Sequence, residues 1–151
     1  MLKILKGDLF NNAKAPCIIA HGCNAQGVMS AGYAKKIKEL YPENFDVYLA
    51  AFKASQYGEL ETGSNIYFNH SSGIVICNCI TQRDYGSSRR YLNYWSLERC
   101  MSELEDSAHA WSLPVHMPLI GTGYAGGDPE IVMRILEKSF RTATEATVWT
   151  L

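Results

Sequence analysis

The sequence lacks long hydrophobic runs, an excess of either charge, and any regular cysteine spacing. Each absence removes a class of protein. No apolar stretch approaches the ~20 residues that a membrane-spanning helix needs, so no membrane association is expected. The opening MLKILKGDLF carries no long apolar segment and does not read as a signal peptide. A soluble, cytoplasmic protein is expected, in the host cytoplasm if the chain is virally encoded. Lys and Arg number 14 against 15 Asp and Glu, a formal net charge of -1. A protein that lives on a phosphate backbone would show a basic face, so nucleic acid is not an expected partner. A small anion held by backbone amides stays open, because that needs no net positive charge.

The five cysteines are an odd number and form no C-x-x-C pair. Cys77 and Cys79 share one face of an apparent strand with no second pair beside them, so no metal site is expected and the thiols read as reduced and partly buried. No cofactor is expected, and a monomer is expected. What is present is ordinary for a globular chain: 47% hydrophobic and 19% charged residues in 151 positions, enough for one domain over 1–151 with its own core.

Strands and helices alternate. Leu2–Leu5 alternates like a half-buried strand, and Cys17–Ala20 is a continuous apolar run, as in a strand covered on both faces. A helix is expected from about Ser30 to Leu40, ended by Pro42, and a second over Glu43–Ser55. Ser64–Phe68 and Gly73–Thr81 bracket a hairpin turn. The longest helix is expected over Tyr91–Ala110, then a strand over Pro114–Ile120, a helix over Pro129–Ala143 and a last strand over Ala146–Leu151. This pattern predicts an α/β three-layer α/β/α sandwich with a central mixed sheet. Ligands in such sheets sit beyond the carboxyl ends of the strands. Three unusual loops lie there: Gly22–Gly32, Gln82–Arg90 and Gly121–Asp128.

The third loop matches G-x-G-x-x-G from Gly121 to Gly126. A dinucleotide fold is rejected, because only one helix and one strand remain after it. Its glycines still let amides approach an anion, and the helix at Pro129 would add its positive end. The first loop repeats the theme, with small residues at Gly27–Gly32 before a helix. Two such seats suit two linked phosphates. Asn24 reads either as an Asx turn or as a hydrogen-bonding partner for a sugar hydroxyl. His21 reads either as a satisfied structural group or as a catalytic base. Asp128 reads either as a helix N-cap or as a base, and Asp8 as a turn former or an acceptor for an amino group.

Taken together, KGDLF (Lys6–Phe10), AHGCNAQGVMSAGYA (Ala20–Ala34), MPLIGTGYAGGD (Met117–Asp128) and the terminal VWTL (Val148–Leu151) resemble a macrodomain, a module that binds ADP-ribose. The similarity is greatest to the ADP-ribose 1″-phosphate phosphatases and the terminal ADP-ribose protein glycohydrolase group. The resemblance implies that Asp8 accepts from the adenine amino group with Leu9 beside it, and that Asn24 holds the distal ribose. It implies a first phosphate loop of Val28, Met29, Ser30, Ala31 and Gly32. It implies a second of Ile120, Gly121, Thr122, Gly123, Tyr124, Ala125 and Gly126, with Trp149 and Leu151 near the adenosine. Ser30 stands where the family usually has Gly. Gln82 stands where the glycohydrolase group has a nucleophilic Lys, and a neutral amide cannot form that covalent intermediate.

Asp128 matches the acidic residue of the phosphatase group. The implied reaction is hydrolysis of ADP-ribose 1″-phosphate to ADP-ribose and phosphate, with Asp128 as base or water positioner. His21 or Asn24 would assist, and Arg83 would neutralise the terminal phosphate. The alternatives are a non-enzymatic ADP-ribose reader, or a hydrolase that removes ADP-ribose from a protein without a catalytic Lys.

Overall fold

The computed structural model describes residues 1–142 and 144–151. The elements in chain order are β1 (Leu2–Lys6), α1 (Leu9–Asn12), β2 (Cys17–Asn24), α2 (Gly32–Leu40), α3 (Pro42–Lys53), β3 (Asn65–Asn69), β4 (Ile74–Gln82), α4 (Tyr94–Trp111), β5 (Val115–Met117), α5 (Pro129–Ser139) and β6 (Ala146–Thr150). The strands form one mixed sheet in the order β1-β6-β5-β2-β4-β3. All neighbours pair parallel except β3, which runs antiparallel to β4 at the edge. The expected α/β/α sandwich is the fold observed. No described helix is long and apolar enough to cross a membrane.

Period-two alternation along the central strands sorts side chains into two layers. Ile18, Ala20, Cys77 and Cys79 face Leu97, Met101, Leu104 and Leu136 of α4 and α5. Cys17, Ile19 and Ile76 face α1 and α2, and Cys23 and Ile80 face Tyr48 of α3. Each fully buried Ile or Leu contributes about 1.5–3 kcal/mol from water exclusion. That explains why β2, buried almost throughout, opens on the apolar run Cys17–Ala20. All five cysteines are free and buried.

Several boundaries differ from the sequence expectation. β2 continues to Asn24 rather than stopping at Ala20, because pairing with β4 extends to Cys23↔Ile80. β5 ends at Met117, one residue before Pro118, which cannot donate to a ladder. α4 starts at Tyr94 rather than Tyr91, where Asn93 accepts the Ser96 N–H. α5 ends at Ser139, because Phe140 leaves helical conformation as its C-cap (φ −108°, ψ 50°), so the expected helix does not continue over 140–142; Ala143 lies outside the described residues. The single-turn α1 was not expected. It forms because Asp8 Oδ1 accepts from Phe10 N at 2.7 Å and Asn11 N at 3.2 Å.

Chain direction across the sheet reverses beside β2: the chain leaves β2 toward β4 and later returns to β5 on its other side. That reversal opens a crevice at the strands' carboxyl ends, and the loops after β2 and β5 flank it. The β2–β4 register shifts between Cys23 and Asn24, so Asn24 pairs with Gln82 at the mouth of the crevice.

Candidate functional site

The first loop is shaped by α3. Asn24 is buried, and its Oδ1 accepts from Gln26 N at 2.9 Å and from the Tyr48 hydroxyl at 3.0 Å. Its Nδ2 donates to Val28 O at 2.7 Å. The Asx-turn reading of Asn24 is therefore what the loop shows. Gly27, at φ +77°, lies so close to Phe52 that a Cβ there would come within 2.7 Å of the ring. Met29 is buried against Tyr48, Leu60 and Ile80, so its side chain anchors the loop, while Val28 is half-buried and Ser30, Ala31 and Gly32 are exposed.

The loop then delivers the chain into α2 with no cap. Ala31 occupies the N-cap in extended conformation (φ −149°, ψ 160°) and has no side-chain oxygen to accept an amide. Gly32 has open space where a side chain would stand. The first-turn N–H groups, with the positive end of the helix dipole, therefore face outward unfilled. Asp8 lies near this seat: its charge, after burial, is what raises the Tyr33 phenol in α2's first turn.

The glycine-rich loop is built differently. Gly121 (φ +76°) and Gly127 are pressed by Leu92, which would stand 2.6 and 2.5 Å from a Cβ at those positions. Gly127 N donates to Gly121 O at 2.7 Å, and the Tyr91 and Leu92 amides donate to Ala125 O. Thr122 Oγ1 caps the turn on Leu119 O, and Ile120 is buried beneath it. Packing thus accounts for Gly121 and Gly127. Gly123 has open space around it, and Tyr124 is exposed. The expected contribution of α5 as a second anion seat is corrected. Asp128 Oδ1 already accepts from Glu130 N at 2.9 Å, and Pro129 supplies no N–H. The Asp128 amide donates to the Tyr94 hydroxyl at 2.9 Å, which lowers the Tyr94 pKa.

A crevice of about 610 Å³ separates the first loop from the segment after β4, lined by Gln26, Val28, Asp84, Tyr85, Arg89 and Tyr91. Arg89 stacks on the Tyr91 ring at 4.6 Å. The Tyr91 pKa is lowered by the Ser88 hydrogen bond and then by Arg89. Gln82 is half-buried and donates to Asp84 O at 2.8 Å. Arg83, expected at a terminal phosphate, instead pairs with Glu59 at 2.9 Å, and Gln26 donates to the same carboxylate. That clasp ties the first loop to the segment carrying the crevice wall.

His21 is corrected as well. It lies inside β2 rather than at a strand end, with no exposed surface, and its Nε2 donates to Asn78 Oδ1 at 2.7 Å. Burial pushes its pKa down to about 4, so it is neutral and cannot meet a ligand in the crevice. Trp149 is half-buried, donates Nε1–H to His116 Nδ1 at 2.9 Å and lies against Gly7, beside Leu9, which is itself buried. Leu151 is exposed. Tyr48 and Leu92 did not emerge from the sequence. The only local signal was the 44-48-52 spacing, which puts Asn44, Tyr48 and Phe52 along one side of a helix.

A family model described as Macro domain matches residues 20–136. An uncharacterised 17.5 kDa protein of Enterobacteria phage T4 is 27% identical over 143 residues, covering 91% of this chain and 88% of that protein. An ADP-ribose 1″-phosphate phosphatase of Meyerozyma guilliermondii is 39% identical over 49 residues, only 32% of this chain and 28% of that enzyme. Among solved structures, the macrodomain of Mycobacterium tuberculosis DarG superposes with a TM-score of 0.85 at 25% identity, covering 100% and 98% of the two chains. Thermosipho africanus DarTG, solved with ADP-ribose, gives 0.82 at 16% identity over 97% of this chain and 41% of that one.

Proposed function

The chain belongs to the Macro domain family, and from that premise we propose that its crevice binds ADP-ribose and that its reaction is hydrolysis of ADP-ribose 1″-phosphate to ADP-ribose and inorganic phosphate. The observation that carries the binding is the uncapped start of α2, whose amides face open space over Gly32. A diphosphate on those amides and on the open side of the second loop at Gly123 has its charge met by backbone dipoles, which suits a chain of net charge -1. Asp8 and Leu9 lie toward the adenosine end with Trp149, and Asn24 toward the distal ribose.

For the reaction, the support is the 49-residue likeness to the phosphatase, together with Asp128 and Arg89. One Asp128 oxygen serves as the helix cap. The other takes a proton from a water whose oxygen bonds to phosphorus as the P–O1″ bond breaks and passes that proton to the departing O1″, which becomes the ADP-ribose hydroxyl, while Arg89 balances charge on the transferred phosphoryl group. A second reading, a binding module without chemistry, is favoured by two observations: the cap fully accounts for Asp128, and Gln82 is a neutral amide engaged with Asp84 O.

Phosphorus NMR of ADP-ribose 1″-phosphate incubated with the protein separates the two. Growth of inorganic phosphate, abolished in both Asp128→Asn and Asp128→Ala, is expected. Shifted diphosphate signals with no phosphate release establish the binding module instead. Unchanged spectra remove the ADP-ribose reading itself.

A further inference from the structure

The two outer strands of the sheet, β1 and β3, each have one side without a neighbouring strand. On β1, Met1 O accepts from Ala146 N and Gly7 N donates to Thr150 O. Backbone groups alternate in direction along a strand, so Lys3 and Leu5 turn theirs toward β6, and Leu2, Ile4 and Lys6 turn theirs outward. On β3, Ile80 N donates to Ser64 O and His70 N to Ile74 O, which leaves the backbone of Asn65, Tyr67 and Asn69 facing outward.

The two edges differ in charge. β1 reads LKILK and is almost uncovered: Ile4 and Leu5, on opposite faces, are 51% and 45% exposed. Among the described residues Lys6 forms no ion pair, and Lys3 forms only an exposed one with Glu145 at 3.4 Å. Beside β3, a groove of about 610 Å³ runs along α4, lined by Glu61, Asn65, Tyr67, Arg99, Glu103 and Asp106. None of its three carboxylates is in an ion pair among the described residues. Glu103 accepts from Asn65 Nδ2 at 2.7 Å and from the Tyr67 hydroxyl at 2.8 Å, both neutral donors.

We propose that β1 of a second copy of this chain adds to β3, so that copies associate head to tail through one continuous sheet. This departs from the monomer expected from the sequence. β1 runs parallel to the body of the sheet and β3 antiparallel to it. A second copy set alongside in the same orientation therefore presents its β1 antiparallel to β3. With Ile4 opposite Tyr67, the outward backbone groups all pair, Lys6 with Asn65 and Leu2 with Asn69. Leu2, Ile4 and Lys6 share the face on which Leu2 packs toward the α4 layer, and Asn65 and Tyr67 point to that same layer. Lys6 thus arrives at the acidic groove beside Glu103, while Leu5 meets Ile66 on the other face.

The other pairings of these edges are mismatched. β1 on β1 sets lysine against lysine, and β3 on β3 brings two acidic grooves together. The matched contact is heterologous and does not close on itself, so it is open-ended. None of the residues lining the crevice lies on β1 or β3, so a row of copies keeps every crevice open.

Sedimentation velocity tests this on the wild-type protein, on Ile4→Pro and Asn69→Pro, and on an equimolar mixture of the two variants. Each proline removes an N–H that faces away from the neighbouring strand, so the sheet's own ladder is kept. The wild type is expected to grow in mass with concentration up to about 1 mM. Each variant alone should stay monomeric, and the mixture should form a dimer that goes no further, because it has one intact edge of each kind. Lys6→Glu should weaken association about tenfold and Lys6→Arg should not. A wild type that remains monomeric throughout overturns the proposal. So does association of either proline variant alone, or a mixture of folded variants that stays monomeric. If circular dichroism shows a proline variant unfolded, the two Lys6 variants decide: equal association in both overturns the proposal.

Discussion

α2 and α5 both begin where a loop with glycines leaves a parallel strand, yet their first turns are in opposite states. α2 follows Ala31, which has no group to accept an amide, and α5 follows Asp128, whose carboxylate takes the Glu130 N–H. The loop richer in glycine, at 121–127, uses Gly121 and Gly127 to admit Leu92, whereas the loop before α2 keeps open space at Gly32. A glycine count therefore does not measure anion affinity. What decides it is whether the amides of the next helix are already filled by the protein's own carboxylate.

Asn78 of β4 accepts hydrogen bonds from both His21 and Asn44, which ties α3 to the sheet, and the largest effect should come from that buried group. The folded pKa of His21, about 4, lies below its unfolded value of 6.5. The folded state thus binds its proton later than the unfolded chain. The stabilisation is complete above about pH 6.5 and is lost as pH falls toward 4, by up to about 3 kcal/mol at ~1.4 kcal/mol per unit. Urea midpoints at pH 7, 6 and 5 should show this decline in the wild type and a flatter one in His21→Gln. Parallel slopes would remove His21 as its source.

The next effect makes the two seats alike. Ala31 already has N-cap geometry, so Ala31→Asp should cap α2 as Asp128 caps α5, gaining about 1 kcal/mol of stability. It also places a carboxylate in the seat proposed for the diphosphate. ADP-ribose affinity should fall about a hundredfold, roughly 2.8 kcal/mol, while the melting temperature rises. Undiminished affinity would show that the α2 amides are not the seat.

The smallest effect is at α5. Asp128→Ala should cost about 1 kcal/mol and Asp128→Asn only a few tenths, since asparagine caps as well as aspartate. Thermal unfolding of the two variants measures this. An equal, large loss in both would mean that the charge, and not the cap, stabilises this helix.

Much of the frame was legible in the chain. Cys17–Ala20 is apolar because β2 is covered on both faces, and Pro42 ended α2 because it starts α3 at its first position. The motif at Gly22–Gly32 marked one wall of the crevice. His21 was misplaced because an apolar run that ends in a polar residue looks like a strand end, whereas β4 supplies Asn78 to satisfy it and Asn44 of α3 in turn bonds Asn78. Pairing with partners far along the chain has no local trace.

The sequence by itself determined the alternation of strands and helices, the sandwich that follows from it, and the loops that gather at the carboxyl ends, because hydrophobic period and turn chemistry act over a few residues. Tertiary structure alone decided which polar groups are used up inside the protein and which remain for a ligand. Asn24 spends its oxygen on the Gln26 amide and its Nδ2 on Val28 O, Asp128 gives an oxygen to its own helix, and Ala31 leaves α2 open. Hydrogen-bond satisfaction is settled by neighbours in space, and those neighbours exist only once the chain has folded.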